Sequence, residues 1–129
     1  MPRLFRQSPL LSIWEGSGNV VCLDVLRAAQ REPETVEALL DEIRLAGLPQ
    51  ATAAAEQALA TLDEGGARRA VERLALALQA SLLARYAPAA VADAFVASRL
   101  DGAAGLGFGT LPAAVEPEAI VERHRPVAN

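Results

Sequence analysis

The residues best equipped for chemistry are gathered in Ser12-Ile13-Trp14-Glu15-Gly16-Ser17-Gly18-Asn19, directly ahead of the apolar run Val20 to Leu26. Glu15 has no basic residue within several positions and stands next to the indole of Trp14. An apolar neighbour raises the pKa of a carboxylic acid, which suits it to proton abstraction. Gly16 and Gly18 carry no side chain, so a ligand can approach the backbone closely there. The unbonded amides at the start of the following helix can hold phosphate or ribose oxygens. The pattern therefore describes a base beside an anion or cofactor site. An ordinary glycine-rich loop has the same composition, and the residues alone leave both readings open.

These residues must be positioned by helices. The chain has 129 residues, enough for one domain with a core but small for a complete cofactor-dependent enzyme. Apolar residues make up 52% and aromatics only 4%, so Ala, Leu and Val must fill the interior, a composition that favours helix over sheet. Residues 1–13 show no helical periodicity and read as an extended lead-in. Ser17 or Asn19 is placed to cap a first helix over Val20 to Gln30, whose apolar positions cover almost its whole circumference. A small domain cannot bury all of that surface, so another chain or domain is expected on the spare face.

Pro33 opens a helix to Ala46 with a clear Val36, Leu39, Leu40, Ile43 stripe, and Gly47 stops it. Pro49 opens an Ala-rich helix to Asp63, broken by Gly65-Gly66. Ala67 to Tyr86 carries the strongest helical pattern in the chain. Pro88 starts a further helix to Leu100, closed by Asp101-Gly102. Ala103 to Pro117 reads as loop and Glu118 to His124 as a short last helix, with no strand pattern anywhere. Short connections imply antiparallel neighbours, hence an all-α, up-and-down helical bundle. Residues 1–129 form one domain: lead-in and motif over 1–19, bundle helices over 20–100, loop and last helix over 101–129.

Other motifs read as structural. Gly105-Leu106-Gly107-Phe108-Gly109 follows a helix rather than a strand and fits a flexible connection better than a nucleotide loop. His124 is the single histidine and stands among charged residues near the C-terminus, which disfavours a histidine-based metal site or triad. No metal ligands are expected. Arg68, Arg69 and Arg73 read as a solvated face salt-bridged to Glu64 and Glu72. Asp24, on an otherwise apolar helix, needs a partner or an opening to water, and Arg27 shares its face.

The net charge of -4 favours neither nucleic acid nor an anionic membrane surface. A single cysteine, Cys22, excludes an internal disulfide and fits a reducing compartment. With no signal-peptide pattern and no apolar run of membrane-spanning length, a cytoplasmic protein without a membrane partner is expected.

The stretch from Arg6-Gln7-Ser8-Pro9-Leu10-Leu11 through Ser12-Ile13-Trp14-Glu15-Gly16-Ser17-Gly18-Asn19 to Val20-Val21-Cys22-Leu23-Asp24-Val25-Leu26-Arg27 closely resembles the C-terminal domain of FAD-dependent acyl-CoA dehydrogenases. Trp-Glu-Gly-Ser-Gly-Asn, where most of that family has Tyr-Glu-Gly-Thr, resembles its AidB-like branch, named for an adaptive response to alkylation. The likeness is specific from about Pro2 to Arg27; beyond it the helical pattern persists, and Tyr86-Ala87-Pro88 and the helix end at Leu100-Asp101 also fit the branch.

The resemblance implies that Glu15 is the catalytic base, removing the α-proton of an acyl-CoA thioester while the β-hydride leaves for flavin N5. It implies that Gly16 meets the substrate through its backbone, that Trp14 narrows the acyl pocket toward short or branched chains, and that Ser17, Gly18 and Asn19 contact FAD. The helices correspond to the family's bundle, which packs against flavin and forms homodimer and tetramer contacts. The family's N-terminal helical domain and middle β-domain are not in these 129 residues, so the isolated chain is expected not to turn over substrate.

Two other readings remain. The AidB-like branch is associated with DNA binding, and Arg27 matches a basic position of that surface. The acidic balance of this chain and its lack of clustered phosphate-binding residues disfavour DNA. A free-standing oligomerisation module is the other alternative, consistent with the apolar first helix.

Overall fold

A computed structural model describes residues 2–12, 18–102 and 110–125. The elements in chain order are α1 (Pro2–Gln7) running into a 3-10 turn (Ser8–Ser12), α2 (Gly18–Arg31), α3 (Pro33–Arg44), α4 (Pro49–Ala60), α5 (Ala67–Tyr86), α6 (Ala89–Phe95) continuing as a π-helical turn (Val96–Leu100), and α7 (Pro117–Arg123). Among the described residues there is no strand. The protein is an all-helical bundle.

Proline and glycine set most of the boundaries. Pro33, Pro49 and Pro117 each occupy the first position of a helix, where a missing N–H costs nothing. Gly47 (φ +61°) and Gly102 (φ +70°) adopt the left-handed conformation just past α3 and the π-turn. Within the π-turn the Asp101 N–H donates to the Val96 carbonyl at 3.0 Å. Ser98 Oγ donates back to the Ala94 carbonyl at 2.6 Å, a competing bond of the kind that distorts helices.

The long helix α5 is the centre of the bundle: α2, α3, α4 and α6 all pack on it, α4 most extensively. The α4–α5 seam is built from alanine, with Ala51, Ala54, Ala55 and Ala58 facing Ala70, Ala77 and Ala80. Small side chains let two helices approach closely, and close packing then replaces bulk as the source of dispersion contacts. Larger groups complete the core: Ile43, Leu74, Val96 and Leu100 are buried, with Leu39, Leu40 and Phe95 packed against it. Among the described residues Ser81 is the one buried polar side chain in the core, and its Oγ donates to the Glu42 carbonyl at 3.2 Å.

Ion pairs lock α3 onto its neighbours. Arg44 reaches Glu56 of α4 at 3.0 Å, and Arg85 of α5 pairs with Glu42 while stacking over the Tyr86 ring at 4.8 Å. Hydrogen bonds from Arg44 to Glu56 and from Arg85 to Glu42 raise both guanidinium pKa values, so neither arginine loses its charge at any ordinary pH.

Three expectations need correction. The lead-in is helical rather than extended. Leu4 and Phe5 (80% exposed) bury nothing, and α1 packs on the 3-10 turn that follows it. With no buried face, α1 leaves no apolar periodicity in the sequence to read. Secondly, α2 starts at Gly18 rather than Val20, and Asn19 lies inside it, where its side chain bonds to α5 instead of capping. Thirdly, Arg68, Arg69 and Arg73 make no ion pair with Glu64 or Glu72: Arg68 turns to Asn19, and Arg73 reaches the Arg99 carbonyl at 3.4 Å.

The spare apolar face of α2 is real. Cys22 and Leu26 are buried, whereas Val20 (56% exposed) and Val21 stand open to solvent.

Candidate functional site

Of the residues singled out in the sequence, Gly18 and Asn19 are described; Trp14, Glu15, Gly16 and Ser17 lie outside the described residues. Gly18 and Asn19 form the first turn of α2. The opening N–H groups of a helix have no partner within it, and the summed peptide dipoles place partial positive charge at that end. Arg68, the second residue of α5, adds a full charge to the same corner.

Its guanidinium lies directly against the backbone of α2. Arg68 Nη1 donates to Asn19 Oδ1 at 2.7 Å. A Cβ placed on Gly18 would meet Arg68 Nη1 at 3.2 Å and Nη2 at 3.4 Å. Glycine at 18 leaves room for a planar cation from a distant part of the chain to lie close to the helix start. Beside this contact a surface cleft of about 300 Å³ is lined by Asn19, Cys22, Leu23, Glu64, Ala67 and Arg68. Helix start, guanidinium and cleft together provide donors for an anionic ligand, with Glu64 the one carboxylate at the rim.

Arg68 is the residue that sequence reasoning missed as part of this corner. It stands 49 positions from Asn19, and its neighbours Arg69 and Arg73 make it look like one member of a solvated basic face. No local signal marks a pairing between the first turns of two separate helices.

The remaining candidates resolve as structural. Asp24 pairs with Arg27 at 2.6 Å, and both side chains are exposed, so the acid has its partner and its water together. Arg27, the position matched to a basic surface, thus has an acid on its guanidinium. His124 is exposed just past α7. Among the described residues no group of three or more His, Cys, Asp or Glu could hold a metal ion, and no helix is long and apolar enough to cross a membrane. The Gly105 to Gly109 stretch lies outside the described residues.

Comparison with known proteins adds one relationship. A 32-residue segment of the chain is 59% identical to AidB of Escherichia coli, an acyl-CoA dehydrogenase-like protein. That segment is 25% of this chain and 6% of the relative's length. No protein-family model matches the chain, and no solved structure does. The identity supports an acyl-CoA dehydrogenase-like origin.

Proposed function

We propose that this chain is the C-terminal helical domain of an FAD-dependent acyl-CoA dehydrogenase of the AidB-like branch, and that Glu15 is its catalytic base. The observation that carries this reading is the 59% identity over 32 residues to AidB. The corner formed by Gly18, Asn19 and Arg68 supports it, because its donors suit the phosphate-rich part of a dinucleotide.

In this reading Glu15 takes the α-proton of a bound acyl-CoA thioester. Trp14, its neighbour in the sequence, would narrow the acyl pocket and favour short or branched acyl groups. Gly16, without a side chain, lets the thioester approach the backbone. Ser17, Gly18 and Asn19 hold the cofactor edge, with the first-turn amides of α2 and Arg68 as donors. FAD, when bound, supplies the hydride acceptor. The exposed Val20 and Val21 make α2 the natural helix to meet another copy in a homodimer or tetramer.

The test grafts residues 2–31 of this chain onto the matching segment of the Escherichia coli relative and follows flavin bleaching by a short branched acyl-CoA. The graft is expected to retain FAD, and Glu15→Gln to slow bleaching by about 10²–10⁴-fold, the usual contribution of a positioned general base. Equal rates with and without Glu15→Gln would remove the base assignment. A folded graft that fails to hold FAD would remove the cofactor assignment.

A further inference from the structure

The N-terminal arm, residues 2–12, leaves its apolar side chains open to solvent. Leu4, Phe5 and Leu10 are 64%, 80% and 52% exposed, and α1 packs on the 3-10 turn that follows it. Arg3 and Arg6 are the only charged residues of this stretch and, three positions apart, share one side of α1. The arm is therefore apolar and basic, with no acid of its own.

A groove of the opposite character runs beside α2. Two clefts of about 430 and 370 Å³ share Leu26, Gln30 and Leu62, and so join into one channel bounded by α2, the start of α3 and the end of α4. Leu26 is buried beneath it, but Val36, Leu59 and Leu62 are only half-buried and present apolar surface to whatever enters. The rim is acidic. Glu37, Asp63 and Glu64 line it, and none of the three makes an ion pair among the described residues. Arg27, the cation in the same lining, is already paired with Asp24.

A short amphipathic helix can seat its apolar side chains in such a groove, while opposite charges at the edges fix its register and suppress wrong partners. Arm and groove occur together in every copy of the chain, the one exposed and the other open. Reciprocal exchange between two copies uses each surface once per chain, so the contact closes as a symmetric pair. We propose that the groove beside α2 receives the N-terminal arm of a second copy of this chain. Leu4 and Phe5 then lie against Val36, Leu59 and Leu62, and Arg3 and Arg6 face the rim of Glu37, Asp63 and Glu64. The contact involves no flavin or acyl-CoA, so its failure leaves the dehydrogenase reading as it stands.

Sedimentation velocity of the full 129-residue chain over a range of concentrations is expected to show a monomer–dimer equilibrium that weakens as salt is raised. Phe5→Ser is expected to raise the dissociation constant at least about tenfold, because it removes a large apolar group from both contacts of the pair. Two charge-reversed chains then identify the partner. One carries Arg3→Glu and Arg6→Glu on the arm, the other Glu37→Arg and Glu64→Arg on the groove. Each alone sets like charges against each other and is expected to dimerise about tenfold more weakly. An equimolar mixture of the two is expected to regain the dimer, since every arm then meets a groove of opposite charge. All the substituted side chains are exposed, and circular dichroism checks that helix content is unchanged. A chain that stays monomeric at every concentration overturns the exchange. A dimer indifferent to these substitutions forms through another face and overturns it too. So does a mixture no stronger than its components, the result expected of an arm that folds back into the groove of its own chain.

Discussion

The guanidinium of Arg68 lies close against Gly18, its Nη1 3.2 Å from where a Cβ on Gly18 would stand, while donating to Asn19 Oδ1 at 2.7 Å. One arginine thus joins the first turns of α2 and α5. The contact has two separable parts, a hydrogen bond and a steric fit.

A double-mutant cycle over Arg68→Ala and Asn19→Ala separates them. The pair is solvent-exposed, so the expected coupling is small, about 0.5–1 kcal/mol by urea denaturation. Gly18→Ala alone is expected to change stability by no more than about 0.5 kcal/mol, because the end of a flexible side chain can retreat. Repeating the cycle in the Gly18→Ala background is expected to reduce the coupling toward zero. A coupling that persists there would mean that the hydrogen bond does not depend on the close approach.

The interior of α3 gives a prediction of a different size. Ile43 is fully buried (0% exposed) between α4 and α5, and Leu45, two residues on, is 64% exposed. Ile43→Ala is expected to cost about 2–5 kcal/mol, since the alanine-lined surroundings are already close-packed and cannot collapse far into the cavity. Leu45→Ala is expected to stay within about 0.5 kcal/mol. Chemical denaturation with unchanged slope, read at the midpoint, checks both; similar values for the two would contradict the packing described for Ile43.

How much of this was legible in the sequence depends on whether each feature has a local cause. The limits of α5, Ala67 to Tyr86, match the expectation residue for residue, because Gly66 and Ala87-Pro88 bracket a long run of helix formers. Prolines at 33 and 49 and glycines at 47 and 102 mark their boundaries for the same reason, whereas Pro117, read as the end of a loop, opens the last helix. The α4 face reads weakly, since alanine serves equally on a buried or an exposed side, and only the structure shows which alanines form the seam. α1 was invisible because it buries nothing. At the candidate site the glycine at 18 is plain in the sequence, but its reason, Arg68, is a long-range contact that local pattern cannot carry. Ser17 as a cap rests on its residue type ahead of a helix, and Glu15 as a base on its indole neighbour and the resemblance; both lie outside the described residues.

Two glycines that look alike in the sequence are expected to fail in opposite ways. Gly66 has an ordinary negative φ of -96°, but a Cβ there would stand 2.6 Å from the Thr61 carbonyl oxygen, a backbone atom that cannot swing aside. Gly102 has no described residue within 4 Å of its Cβ position and a φ of +70°, a conformation that costs any L side chain. Gly66→Ala is therefore expected to destabilise by about 1–3 kcal/mol through overpacking, and Gly102→Ala by about 1–2 kcal/mol through backbone strain. Asparagine distinguishes the causes. It tolerates the left-handed region, so Gly102→Asn is expected to recover part of the loss, whereas Gly66→Asn, which carries the same Cβ, is expected to recover none. Thermal or urea unfolding of the four variants settles the matter, and recovery at Gly66 would mean that the turn between α4 and α5 yields more readily than its carbonyl contact implies.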